Sequence, residues 1–235
     1  MRIGIIAALP GELKPLVRGW ERQRTGVKGM AVWTIARGGD ELIAVCGGVG
    51  ADAAMRSFSA AEFMGALDLV LSVGWAGALQ PEMKTGECYS PSEVIDVQTG
   101  ERYRIADEAS PLRLATVAQV ADAQEKLRLH QSYGAALVDM EAATVARLAQ
   151  MRDIPVRCFK AVSDAPDAVL PDLNPFVDAN GQMRMLPFIA YVAVRPRFWG
   201  SLIRLGAHSS TAASAIAGQV ERFLVERDVQ RTGAL

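Results

Sequence analysis

A chain of 235 residues, half of them apolar and 22% charged, has the length and hydrophobic share for one large globular domain, residues 1 to 235, with a substantial core. A formal net charge of −1 carries no basic footprint for nucleic acid, and the three cysteines, Cys46, Cys88 and Cys158, lack metal-ligand spacing. An odd cysteine count suits a reducing compartment, and no charged n-region precedes an apolar stretch, so no signal peptide and a cytoplasmic location are expected.

Arg2 to Leu9 reads as a short apolar strand, and Pro10-Gly-Glu-Leu opens a helix with proline and an acid in its first turn. Glu12 sits just past the strand's C-terminal end, open to two readings: an acid favoured by the helix dipole, or a site residue. Met30 to Ala36 and Leu42 to Cys46 form an antiparallel pair about the turn Arg37-Gly-Gly-Asp40. Gly47-Gly-Val-Gly50 leads into a helix from about Ala51 to Met64; such glycines admit an anion to the helix N-terminus or make a tight turn. Leu67 to Val73 is a buried strand, with Gly74-Trp-Ala-Gly77 as the loop after it. Gly86 to Ile95 and Gln98 to Ile105 supply strands about the Thr99-Gly100 turn. Leu114 to Val120 is another strand, and Asp122 to Gln131 a helix.

Ala136 to Val138 finish a further strand, and Asp139, Met140 and Glu141 stand at the turn into a helix running to about Arg152. That helix carries Ala146, Leu148 and Ala149 inward and Arg147 and Gln150 outward. Pro155 starts a strand (Val156, Cys158, Ala161, Val162) that ends in Ser163-Asp164. In a parallel α/β sheet Glu141 and Asp164 would both lie at carboxyl ends of strands, where such folds hold ligands. One acid then suits a diol and the other a proton transfer. Ala165 to Asn180 reads as a long surface loop of the kind that is commonly functional, and Asp178-Ala-Asn-Gly181 as a turn. Leu186 to Leu205 is apolar and aromatic but interrupted by Arg195, Pro196, Arg197 and Arg204, too broken to span a bilayer. Residues 185–207 therefore form either an interfacial amphipathic hairpin or a segment packed on the core or another subunit. Thr211 to about Glu226 closes the chain as a helix. GxGxxG spacing for a dinucleotide is absent, and His130 and His208 lack partners at ligand spacing, so neither cofactor nor metal is expected.

Val138-Asp-Met-Glu-Ala142 followed by Ala161-Val-Ser-Asp-Ala165 resembles the VEMEA and AISD pair of the methylthioadenosine/S-adenosylhomocysteine nucleosidases, within the purine nucleoside phosphorylase superfamily. Ile3-Gly-Ile-Ile-Ala7 with Glu12 resembles the family's IGIIGAMEEE opening. Gly47-Gly-Val-Gly50 and Val73-Gly-Trp-Ala-Gly-Ala-Leu79 stand where the family has SGIG and NTGSAGGL. The resemblance covers roughly residues 1 to 165, in order. It implies an α/β fold, three-layer α/β/α with a mixed, partly barrel-like central sheet. It also implies an enzyme that cleaves the N-glycosidic bond of an adenine nucleoside, as a homo-oligomer. By the same resemblance Asp164 protonates the purine at N7, with burial keeping it protonated. Glu141 takes the ribose hydroxyls, Met140 lies under the sugar and Glu12 activates water. Gly74, Trp75, Asp139 and Ser163 complete the substrate-binding set.

Trp75 departs from the family's small hydroxyl residue, either flattening against a sugar or filling a pocket. The family's base-stacking aromatic has no clear equivalent, Tyr133 being the nearest candidate. The tail Arg195-Pro-Arg-Phe-Trp-Gly-Ser-Leu-Ile-Arg-Leu205, with Leu127-Arg-Leu-His130, Val138-Asp-Met-Glu141, Leu170-Pro171 and the Asp178 turn, looks like the hopanoid-associated branch. That branch implies release of adenine from adenosylhopane, a lipid-linked nucleoside, with peripheral contact at the inner face of a membrane. Methylthioadenosine/S-adenosylhomocysteine cleavage and non-catalytic nucleoside binding are the alternatives. Inorganic phosphate is the co-substrate if the enzyme is a phosphorylase; an acid beside the nucleophile favours water.

Overall fold

Parallel pairing of apolar strands makes the centre of the molecule. In the computed structural model β1 (Arg2–Ala7) lies between β4 (Asp40–Cys46) and β5 (Leu69–Ala78), parallel to both, with Ile3 opposite Leu42 and Leu69. The structure describes all residues except 106–109, 169–173, 177, 179, 183, 185, 189–190, 192–194, 196–198 and 234–235. Ile3, Ile5, Ile43, Val45, Val70 and Leu71 have no exposed surface, and each such side chain stabilises the fold by about 1.5–3 kcal/mol.

The expected hairpin forms: β3 (Ala31–Arg37) runs antiparallel to β4 through Gly38 and Gly39, both at positive φ as a tight two-residue turn requires. β2 (Glu21–Gln23) pairs outside β3. On the other side β5 meets two partners. β11 (Val156–Asp164) runs parallel to it from Val70 to Gly77, and β10 (Leu137–Asp139) pairs antiparallel at Gly77 and Ala78. Beyond β10 come β9 (Arg113–Thr116), β7 (Glu93–Asp96) and β8 (Arg102–Arg104), while β6 (Cys88–Tyr89) pairs with β11. The mixed sheet does not close into a barrel among the described residues.

Helices cover both faces. On one, α2 (Ala51–Phe63) and α4 (Ala142–Gln150) bury Ala54, Phe58, Ala61, Val145, Ala146 and Ala149 against β1, β4 and β5. On the other, the four-residue α1 (Pro10–Leu13) and the long α5 (Trp199–Gly233) pack Leu13, Ala212, Ile216, Val220 and Leu224 onto Ile3, Leu71 and Phe159. α5 is also tied to the β3–β4 turn by ion pairs Arg37–Glu221 and Arg231–Asp40. A smaller cluster of Leu79, Ala115, Leu129, Ala135 and Val138 lies under α3 (Ala123–Tyr133).

Several expectations are corrected. Gly74 to Gly77 is not a loop but the second half of β5, because β11 supplies a ladder along its length. The span Gly86 to Ile95 divides into β6 and β7. The strand expected over Leu114 to Val120 stops at Thr116, opposite Asp139, where its partner β10 ends. The last helix begins at Trp199 rather than Thr211. Much of the apolar segment 185–207, and much of the loop 165–180 apart from a 3-10 turn at Asn174–Phe176, lies outside the described residues. Among the described residues no helix is long and apolar enough to cross a membrane.

Ile216 tests whether α5 belongs to the core. Ile216→Ala is expected to cost about 2–5 kcal/mol, measured as a lower urea midpoint with an unchanged denaturation slope.

Candidate active site

The C-terminal ends of β1, β4, β5, β10 and β11 gather one group of charged side chains. Glu12, in α1, is buried and folds back on the loop leaving β1. Its Oε2 accepts from the backbone N–H of Ala8 (2.9 Å) and Leu9 (2.7 Å), and its Oε1 from that of Trp75 in β5 (2.8 Å). A carboxylate oxygen accepts about two hydrogen bonds, so Oε1 keeps a lone pair for a further donor. Burial raises the Glu12 carboxyl above its usual range, against the bonds from Leu9, Trp75 and Ala8 and the field of Lys160. The carboxylate reaches β5 because position 74 is glycine: a Cβ there would stand 2.9 Å from Oε1.

Glu141 leads into α4 and reaches across to α2. Its Oε1 accepts from the N–H of Gly50, the residue capping α2, at 2.7 Å, and its Oε2 lies 3.3 Å from the Met140 N–H. Burial and the neighbouring Asp139 push its carboxyl up to about 8, with Lys160 and the Gly50 bond opposing. Met140 is half-buried beside it.

Asp139 is a correction. Its side chain has no exposed surface and both oxygens are taken by protein donors. Oδ1 accepts from the Thr116 hydroxyl (2.7 Å), and Oδ2 from the Ala142 N–H (2.9 Å) and the Lys160 ammonium (2.8 Å). Asp139 holds the start of α4 and a buried cation; it does not face a substrate. Lys160 itself is 1% exposed; desolvation pulls its ammonium down, but Asp139, Cys158 and Glu141 outweigh that and the net shift is upward.

Asp164 closes β11. Its Oδ1 accepts from the Ser163 hydroxyl (2.6 Å) and its Oδ2 is ion-paired with Lys126 of α3. Burial at the strand end is the setting expected for this acid; the structure adds an ammonium against it. Ser163, also within 3.3 Å of the Ala76 carbonyl, orients Asp164. Trp75 donates its backbone N–H to Glu12, while its indole packs over Gly11 of α1, where a Cβ would lie 3.0 Å from the ring. It fills space against the α1–α5 side of the core, and its Nε1 is buried with no acceptor among the described residues.

Lys126, Lys160 and Thr116 were not among the residues expected from sequence, although two carried a signal. Lys160 stands alone among apolar residues in a strand, where a lysine is rarely buried without a partner. Lys126 lies three residues before the buried Leu129, on the same helix face.

Gly74 and Gly77 thus bracket the site along β5, one under Glu12 and the other under Asp164, separated by three residues of strand, roughly 10 Å. The assembly can hold a polar ligand between a carboxylate with a spare lone pair at one end and an acid–ammonium pair at the other.

The phosphorylase superfamily profile matches residues 2–118 and 114–185, so the protein belongs to that enzyme superfamily. Its fold is that of the superfamily's nucleosidases. Futalosine hydrolase of Helicobacter pylori superposes with a TM-score of 0.72 at 16% identity, covering 96% of this chain and 98% of that one. The 5′-methylthioadenosine/S-adenosylhomocysteine nucleosidase of the same organism, complexed with a substituted pyrrolidin-3-ol, gives the same values. The 5′-methylthioadenosine nucleosidase of Arabidopsis thaliana superposes with a TM-score of 0.71 at 16% identity, covering 95% and 94% of the two chains. No curated protein sequence matches the chain.

Two measurements test the electrostatics. Lys160→Met leaves Asp139, Glu141 and Glu12 around a vacated charge and is expected to cost about 3–5 kcal/mol, partly recovered in Lys160→Met/Asp139→Asn; chemical denaturation of the cycle reads this. The folded protein holds the Glu141 proton more tightly than the unfolded chain. The resulting stability is fully present below the ordinary value of 4.5 and is lost as pH rises to about 8. Melting temperature at constant ionic strength is expected to fall across that window, and Glu141→Gln to flatten the fall.

Proposed function

We propose that the protein hydrolyses the N-glycosidic bond of a purine nucleoside, releasing adenine. The observation that carries this is the arrangement along β5, with Glu12 over Gly74 and Asp164 over Gly77. That span suits a water, a ribose and the edge of a base in line. As the bond from the anomeric carbon to N9 breaks, its electron pair passes to the purine, which takes a proton at N7 from Asp164. The sugar, left electron-poor, is attacked by a water whose proton goes to Glu12. Glu141 accepts from the ribose hydroxyls while Gly50 fixes its other side. A base of raised pKa is matched to work nearer neutrality.

Water is the better nucleophile on charge grounds. Both lysines of the site are engaged, Lys160 by Asp139 and Lys126 by Asp164, which leaves neither ammonium free for a phosphate. A phosphate would meet carboxylates before it met a free cation.

Two readings of the 5′ substituent have support. The C-terminal arginine-rich apolar segment favours a lipid-linked nucleoside, adenosylhopane, taken up at a membrane surface. The nucleosidases that share the fold favour a small thioether such as methylthioadenosine. Action as a homo-oligomer in the cytoplasm belongs to the same proposal. Adenine release from a panel running from methylthioadenosine to adenosylhopane, with and without inorganic phosphate, separates these readings. Binding without release by any member would favour a non-catalytic nucleoside-binding protein.

Glu12→Gln and Asp164→Asn are each expected to lower kcat by about 100- to 10,000-fold, with folding intact, in a chromatographic assay of free adenine. Either variant keeping more than about a tenth of wild-type turnover overturns the role given to that residue.

A further inference from the structure

One buried cation touches the proposed acid and has no part in the reaction as written. Lys126 is 3% exposed, and its ammonium donates to Asp164 Oδ2 and to the Ala165 carbonyl at 2.7 Å. The helix that delivers it is fixed at both ends of its first two turns. Asp122 caps α3 by accepting from the Glu125 N–H at 2.8 Å, and Leu129 is fully buried one turn beyond Lys126. The lysine stem passes over Gly77, where an added Cβ would stand 3.1 Å from Lys126 Cε and 3.2 Å from Asp164 Oδ2. A side chain at position 77 would therefore push between the two groups.

The acid that faces the base has a second proton-bearing group directly behind it, since Lys126 Nζ donates to the same Oδ2. Lysine, unlike arginine, can release its own proton. Resting on the purine-cleaving reading, we infer that Lys126 is a positioning and proton-supplying residue that acts through Asp164: the proton that ends on purine N7 begins on Lys126 Nζ. An N–H bond of the ammonium breaks as Asp164 Oδ2 takes the proton, and Oδ2 passes it to N7 as the glycosidic electron pair reaches the base. Asp164 ends as a carboxylate, still accepting from Ser163, and Lys126 ends as an amine that solvent reprotonates after the base departs.

A lysine that merely braces the fold predicts something different, and leaving groups tell the two apart. Purine departure needs a proton, whereas 4-nitrophenol leaves a riboside as its anion and a 7-methylpurine, already cationic on the sugar, leaves as a neutral base without one. Turnover of the purine nucleoside and of these two substrates is compared for wild type, Lys126→Met, Lys126→Arg and Asp164→Asn, with folding checked by thermal unfolding. The expected result for Lys126→Met is a loss of at least about 100-fold in kcat on the purine nucleoside and less than about threefold on the other two. Lys126→Arg keeps the positive charge but releases no proton, and is expected to share the selective loss. Equal losses on all three substrates, or recovery of purine turnover by Lys126→Arg, would overturn the inference. Should Lys126→Arg fail to fold, the substrate selectivity of Lys126→Met decides alone. A wild type that releases no base from any purine nucleoside sinks the hydrolase reading itself. A wild type that does so, with Asp164→Asn impaired and Lys126→Met not, leaves that reading standing and removes only Lys126's part.

Discussion

The ammonium of Lys160 is the fixed point of the site. It enters from β11 into a region with no solvent and there meets Asp139 directly and the fields of Glu141 and Glu12. Removing so many charges from water is costly, and the arrangement persists because each charge has a partner and Asp139 accepts from three donors, Thr116, Ala142 and Lys160. This binding ties three parts of the chain together: β9 through Thr116, the start of α4 through Ala142, and β11 through Lys160. Glu141, two residues after Asp139, is aimed at Gly50 by that anchoring.

A second constraint is steric. β5 serves as a common floor with two openings, Gly74 for Glu12 and Gly77 for the Lys126–Asp164 pair. Glycine weakens a strand interior and is found where another group must approach closely. Here the strand survives because β11 runs beside it through the whole stretch, and what the glycines lose in packing they return as access for three charged groups. Glu12 and the Lys126–Asp164 pair are thus spaced by the rise of a strand, a rigid ruler, and not by a loop.

The chain's periodicities disclosed most of the framework. The β3–β4 hairpin, the helices α2 and α4 and the strand ending at Asp164 follow from alternation, 3.6-residue spacing and turn residues, and they lie within a residue or two of expectation. The positions of the two carboxylates at strand ends were also legible, whereas Glu12 was open to two readings from the residues and was singled out only by the family resemblance. Gly74 to Gly77 misled, since two glycines in four residues read as a loop when no partner strand is in view. The buried lysines were passed over for a related reason: a lysine in a sequence declares only a charge, and its partner is distant in the chain.

Local order in this protein was therefore decided by the sequence itself, through hydrophobic period, capping and turn chemistry acting over a few neighbouring residues. Partnership was not. Lys126 meets Asp164 across 38 residues, Glu141 meets Gly50 across 91 and Glu12 meets Trp75 across 63. Which acid is held by a cation, which is shut away from solvent and which keeps a free lone pair depend on those distant encounters. Burial and charge pairing are properties of the packed chain, so the division of labour among four similar carboxylates came into being only when the strands were brought side by side.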